Sequence, residues 1–370
     1  MPIAAGCRSC HSRRLIAMQD RLKLESEKLA RSWMQHESGR LKDYLVAGVE
    51  DPRINLQSVF SRHFLLRALT EDRFVGLMEQ EYRFAAVMNW LIQRGQILED
   101  TEELEEILYA LRRGSDNAEG LSIPRFLLET FAGFPCVVPG LTIPNYVENL
   151  VADARLHRGA PAAQLPVLDT FLNLWRQALA GENPALNRLA SGQPPENGPL
   201  SVIEPACGSA NDYRFLQAFG IGRFIDYRGF DLCEKNVENA RTLFPGVRFD
   251  LGNVFEIEAV DKAFDLLFVH DLFEHFSIEG VAEAVKEICR VTRWGICVGF
   301  FNMDEIPEHV VQPIEDYHWN RLSMARMKEL FLARGFFGQI IHVGSFLRRH
   351  VVCDYTHNPN AYTFILHARR

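Results

Sequence analysis

Between about residue 13 and residue 180 the apolar positions recur at helical spacing and almost never alternate. Leu15, Met18, Leu22, Leu29 and Trp33 open this run, followed by Leu41, Tyr44 and Leu45. The spacing predicts further helices over 56–69, 71–94, 101–113, 123–132, 145–157 and 165–180. In 71–94, Phe74, Leu77, Met78, Tyr82, Ala85, Ala86, Met88 and Trp90 leave few polar sides, as in a helix surrounded by other helices. Residues 1–190 are therefore expected to form an all-α N-terminal domain. Pro124, Pro135, Pro139 and Pro144, around Gly133 and Gly140, interrupt it with a surface loop.

The pattern changes at 191–199, where Ser191 to Pro199 has no apolar period and reads as a linker. Beyond it, strands are predicted over 200–205, 226–231, 247–250, 264–270, 295–301, 337–344 and 361–368. Helices are predicted over 211–219, 235–244, 278–292 and 322–334. Strands separated by helices imply an α/β domain over 200–370, a Rossmann-like, doubly wound, seven-stranded and mostly parallel sheet. The last two strands adjoin without a predicted helix and read as an antiparallel pair at one edge.

The 370 residues suffice for two such domains. A formal net charge of −8 disfavours a nucleic-acid partner, and no apolar stretch approaches the roughly 18–20 residues of a membrane helix. The eight cysteines are scattered through elements of the core, and no signal-peptide core opens the chain, so a cytoplasmic protein with reduced thiols is expected. Oligomeric state stays open.

In an open parallel sheet a ligand binds at the carboxyl ends of the strands, so the chemistry is sought there. Val202 and Ile203 run into Glu204, then through small residues including Ala206, Gly208 and Ala210 to Asn211 and Asp212. Small residues let a ligand approach the backbone, and the helix start offers free N–H groups. The next strand ends at Asp231, whose carboxylate can accept from both hydroxyls of a ribose. The third leads to Asn253 and Val254, where an amide carbonyl can accept from an adenine amino group. The fourth ends at His270 and continues as Asp271-Leu272-Phe273-Glu274-His275.

This order of elements resembles the class I S-adenosylmethionine-dependent methyltransferases over roughly residues 200–370. It is similar above all to the small-molecule branch that includes ubiquinone-biosynthesis O-methyltransferases. The resemblance implies S-adenosyl-L-methionine as cofactor, held by Glu204, Ala206, Gly208 and Asp212 in the first motif. It further implies Asp231 and Leu232 at the ribose, Asn253 and Val254 at the adenine, and His270 at the end of the fourth strand. Tyr317 to Ser323 before a helix, and Gly335-Phe336 before a strand, fit the same family. The family usually carries glycine at Ala206 and Ala210 and an acid at Asn253, and alanine suits the turn if its φ stays negative. The Glu-Pro-Ala-Cys-Gly-Ser spelling is also similar to adenine-N6 DNA methyltransferases, but His270-Asp271-Leu272-Phe273 stands where those carry Asn-Pro-Pro-aromatic.

Methyl transfer from a sulfonium needs alignment and a dry site, and a base only where the acceptor must lose a proton. His270, His275 and His318 are the candidate catalytic bases, each weighed against an ordinary structural role. Asp271, Glu274 and His275 form an acid-x-x-acid-His cluster that by resemblance can ligate a divalent metal, or else caps and packs its loop. Cys7-Arg8-Ser9-Cys10-His11 spells a haem-attachment pattern or half a zinc site, and reads most simply as a tail leading into the first helix. Arg348 and Arg349 are solvated edge charges or face an anionic acceptor, while Phe264, Phe268, Phe273 and Phe276 read as core.

The expected function is methyl transfer to oxygen or nitrogen of a small-molecule acceptor, with the helical domain covering the pocket. A noncatalytic module of the same fold that holds a partner protein is the alternative, as is a protein or RNA methyltransferase.

Overall fold

The computed structural model describes residues 8–36, 56–70, 199–218, 220–350 and 358–369, with 106, 109, 117–118 and 121–122. The helices expected over 71–94, 123–132, 145–157 and 165–180, and all of the linker except Pro199, lie outside the described residues. Within 101–113, residues 106 and 109 are described, and both are helical.

Two N-terminal helices are described, α1 (Arg8–His36) and α2 (Leu56–Thr70), with a short antiparallel pair of Asn117–Ala118 and Leu121–Ser122. Cys10 and His11 fall inside α1, while Cys7 lies outside the described residues. From Leu200 the elements run β1 (Leu200–Pro205), α3 (Asn211–Ala218), β2 (Ile225–Asp231), α4 (Glu234–Leu243) and β3 (Arg248–Leu251). They continue as β4 (Phe264–His270), α5 (Ile278–Val291), β5 (Thr292–Phe300), α6 (Met324–Ala333), β6 (Phe336–His342), α7 (Val343–His350) and β7 (Tyr362–Ala368).

The sheet order is β6-β7-β5-β4-β1-β2-β3. β1 to β5 are parallel, and β7 is antiparallel to both β5 and β6. The seven-stranded sheet with its antiparallel edge is thus present, but one expectation fails. α7 stands between the two edge strands, where no helix was predicted. Ile340, Ile341 and Val343 prolong a strand-like apolar run, yet the His342 ring takes the N–H of Ser345 at 3.2 Å, and Val343 and Leu347 bury one helical face. Arg348, Arg349 and His350 are exposed in the last turn of α7, away from the cavity described below.

Alternation of period two sorts the sheet. Ile203, Leu267, Val269, Ile296 and Val298 share one core with Leu22 and Leu29 of α1, Val285 and Ile288 of α5, and Phe331 of α6. Burying two leucines contributes roughly 1.5–3 kcal/mol each, which docks α1 onto this face. Residues of the other parity face α2, which packs on β4, β5 and β7. The approach there is close, since a Cβ on Gly295 would lie 3.1 Å from the ring of Phe64. Phe264, Phe268, Phe273 and Phe276 belong to the interior, Phe264 less completely than the rest.

Among the described residues no helix is long and apolar enough to cross a membrane. Cys207, Cys233, Cys289 and Cys297 are buried free thiols.

Candidate active site

β1 lies between β4 and β2, so strand order reverses at β1, and the exits of β1 and β4 border the crevice where such sheets bind ligands. The turn after β1 corrects the expectation of a negative φ. Ala206, Gly208 and Ala210 sit at φ 54°, 54° and 66°, all in the left-handed region. Left-handed backbone costs an alanine about 1–2 kcal/mol. Surrounding bonds enforce it: Cys207 N donates to Phe230 O at 3.1 Å, Gly208 N to Asp231 Oδ2 at 3.0 Å, and Ala210 N to Cys207 O at 3.0 Å.

Asp231 is 8% exposed, and its Oδ1 accepts from Cys233 N at 2.8 Å and Asn236 Nδ2 at 3.2 Å. Burial raises its pKa, and these bonds oppose the rise. The carboxylate also takes the backbone N–H of Leu232. Glu204 is buried and accepts from the Tyr227 hydroxyl. Burial, then the charge of Asp212, holds its carboxyl well above the ordinary range. Asn253 is engaged from two sides, Oδ1 accepting from Phe255 N at 3.0 Å and Nδ2 donating to Ser26 Oγ of α1 at 2.8 Å.

At the exit of β4, His270 Nδ1 lies 3.0 Å from Asp212 Oδ2, and Asp212 Oδ1 accepts from Ser58 Oγ of α2 at 2.9 Å. Burial pushes Asp212 up, but His270, Ser58 and Arg62 outweigh it and hold the carboxyl below its usual value.

The acid-x-x-acid-His cluster serves its loop. Glu274 is fully buried, its Oε1 accepting from Phe301 N at 2.8 Å and Asn302 N at 3.2 Å, and its backbone carbonyl from Asn320 N at 2.9 Å. His275 Nδ1 lies 3.2 Å from the carbonyl of His318, and burial lowers its pKa. Among the described residues no group of three or more His, Cys, Asp or Glu could hold a metal ion. The His318 side chain does not line the cavity.

These parts surround one cavity of about 690 Å³. It joins Glu204, Ala206, Gly208, Asp212, Asp231, Leu232, Asn253, Val254, His270, Asp271 and His275, which the sequence singled out from four separate stretches. His275, Phe301 and Trp319 form an aromatic wall, with ring centroids 5.5 Å apart from His275 to each of the others and 4.8 Å between Phe301 and Trp319. Leu29, Gln57 and Ser58 complete the lining from α1 and α2. Sequence reading missed these three and Phe301. Helical spacing marks the helices of the first three without telling which turn meets the sheet, and Phe301 lies just past the end of β5.

Residues 202–295 match the family model described as a methyltransferase domain. A search of curated proteins gives no match. Similar solved structures include a protein of Pyrococcus horikoshii OT3 at 18% identity, covering 50% of this chain and 88% of that one, with a TM-score of 0.35. An S-adenosylmethionine-dependent methyltransferase from Mesorhizobium loti is 14% identical, covering 50% and 96%, with a TM-score of 0.36. The Burkholderia thailandensis 1,6-didemethyltoxoflavin-N1-methyltransferase, solved with 1,6-didemethyltoxoflavin and S-adenosylhomocysteine, is 15% identical, covering 57% and 92%, with a TM-score of 0.37. At these scores the likeness is partial, and the fold rests on the strand order itself. Across residues 202–295 the chain thus carries the domain of a methyltransferase enzyme.

Proposed function

We propose that this protein is an S-adenosyl-L-methionine-dependent methyltransferase acting on oxygen or nitrogen of a small-molecule acceptor, in keeping with the small-molecule branch its sequence resembles. The sign of charge in the cavity carries the reading. Asp212, Asp231 and Asp271 line it, and among the described lining residues there is no Lys or Arg. A dinucleotide would bring an anionic pyrophosphate to this wall, whereas a sulfonium and an ammonium group are drawn to carboxylates.

When bound, the cofactor supplies a methyl group activated on cationic sulfur. Asp231 would hold the ribose, Asn253 and Val254 would border the adenine, and Glu204, Ala206 and Gly208 would line the remainder. The aromatic wall of His275, Phe301 and Trp319 suits a flat acceptor. A cavity of about 690 Å³, roofed by α1 and α2, is in the range that takes a small molecule. The buried free thiols fit a reducing compartment such as the cytoplasm.

Calorimetry with S-adenosylmethionine and S-adenosylhomocysteine tests the reading. Both are expected to bind, and Asp231→Ala is expected to abolish binding. Wild-type protein that binds neither at millimolar concentration ends the proposal.

A further inference from the structure

By its place in the sequence Asp212 belongs with the cofactor cradle, but its carboxylate is committed elsewhere. Oδ2 meets His270 Nδ1 at 3.0 Å and Oδ1 takes the Ser58 hydroxyl at 2.9 Å. The side chains of His270 and Asp212 are 10% and 18% exposed. The imidazole is pinned from β5 as well, since a Cβ on Gly299 would lie 2.6 Å from its Cδ2 and 3.2 Å from Gln57 Nε2. Gln57 is fixed in turn, its Nε2 donating to Phe300 O at 2.7 Å and Tyr362 O at 3.2 Å. His270 lines the cavity, and its Nε2 is buried with no hydrogen-bond partner. Leaving such an atom unmatched costs about 1–3 kcal/mol, a cost that a substrate proton would relieve.

We propose that Asp212 and His270 form the general-base dyad of methyl transfer, with Ser58 as its positioning residue, so that the acceptor is one that gives up an O–H or N–H proton. This rests on the methyltransferase reading above. Nδ1–H donates to Asp212 Oδ2, which fixes the tautomer with a lone pair on Nε2. As the acceptor oxygen or nitrogen bonds to the methyl carbon, its proton passes to Nε2, and the electrons of the breaking carbon–sulfur bond stay on sulfur. The imidazolium is held opposite the Asp212 carboxylate until solvent takes the proton. The charged groups facing the ring are Asp212 from α3, the adjoining Asp271, and Arg62 from α2. Burial lowers the proton affinity of His270, but Asp212 and Asp271 outweigh burial and Arg62, and its pKa stands above the ordinary value. The proton-accepting form therefore prevails on the alkaline side of that raised value.

The test follows the His270 ring by NMR in protein carrying 13C-labelled histidine, with its signal identified by loss in His270→Gln. The ring is titrated in wild type, Asp212→Asn and Ser58→Ala, and S-adenosylhomocysteine is titrated into each. The midpoint is expected to fall by about one pH unit or more in Asp212→Asn and by less in Ser58→Ala, with ligand affinity within about threefold of wild type. An unmoved midpoint in Asp212→Asn overturns the dyad, and roughly tenfold weaker ligand binding without a shift returns Asp212 to the cofactor cradle. Should Asp212→Asn not fold, an unmoved midpoint in Ser58→Ala overturns it equally. Wild-type protein that binds no S-adenosylhomocysteine but shows the coupled titration would keep the Asp212–His270 pair while overturning the methyltransferase reading and, with it, the pair's role in methyl transfer.

Discussion

Glu25 of α1 accepts from both the backbone N–H and the hydroxyl of Ser277, each at 2.6 Å. Ser277 is the N-cap of α5, its Oγ accepting from Gly280 N at 3.0 Å, so one carboxylate ties α1 to the positive end of α5. Glu25→Ala is expected to lower the unfolding free energy by about 1.5–3 kcal/mol, the range for hydrogen bonds to a charged group. A urea titration would show a lower midpoint with the slope retained. An unchanged midpoint would mean that the clamp contributes nothing.

Ala206 and Ala210 stand where glycine would be unstrained. Glycine at either position removes about 1–2 kcal/mol of left-handed strain and adds about 0.5–1 kcal/mol of unfolded-chain entropy. Ala206→Gly and Ala210→Gly are each expected to raise the thermal midpoint slightly, and Gly208→Ala to lower it. Loss of stability in both glycine variants would show that the methyl groups pack better than the backbone suffers.

Burial, then the charge of Asp271, pushes the Glu274 carboxyl from 4.5 up to about 8. The folded protein keeps a proton that the unfolded chain releases, so stability is expected to be full below pH 4.5 and to fall until about pH 8. The fall is on the order of a few kcal/mol. Glu274→Gln can still accept from Phe301 and Asn302 and has no proton to lose, so its stability should not decline across that window. Denaturation midpoints measured from pH 5 to pH 9 decide the matter, and parallel profiles would count against it.

Trp319 is 43% exposed, with its ring against Phe301 and His275. Trp319→Ala is expected to raise the acceptor KM by about threefold to tenfold, from the stacking energy of an aromatic pair. Affinity for S-adenosylhomocysteine should stay unchanged in calorimetry. A matching loss of both would place Trp319 in the cofactor wall.

Much of the α/β unit was legible because each central strand is a short apolar run stopped by a polar residue, Glu204, Asp231 or His270. Those same residues mark the ligand crevice, since strand ends and site coincide in this architecture. The left-handed alanines were not legible: the turn forces φ through bonds such as Gly208 N to Asp231 Oδ2, made across 23 residues. α7 was missed because its cap is a histidine ring and its first residue is β-branched. The partnership of Asp212 with His270 spans 58 residues and that with Ser58 spans 154, distances at which periodicity carries no information.

The reach of Gln57 sets an order on synthesis. Its amide meets the carbonyls of Phe300 and Tyr362, 243 and 305 residues further along. A ribosome adding about 5–20 residues per second needs roughly 15–60 s to cover the longer gap. Until β4, β5 and β7 have all followed, Val59, Phe60, Phe64, Leu65 and Leu66, all buried in the finished protein, lack part of the sheet face that covers them. α2 thus stays incompletely covered on the nascent chain until β7 joins β5 beneath it, an interval in which a chaperone would shield it.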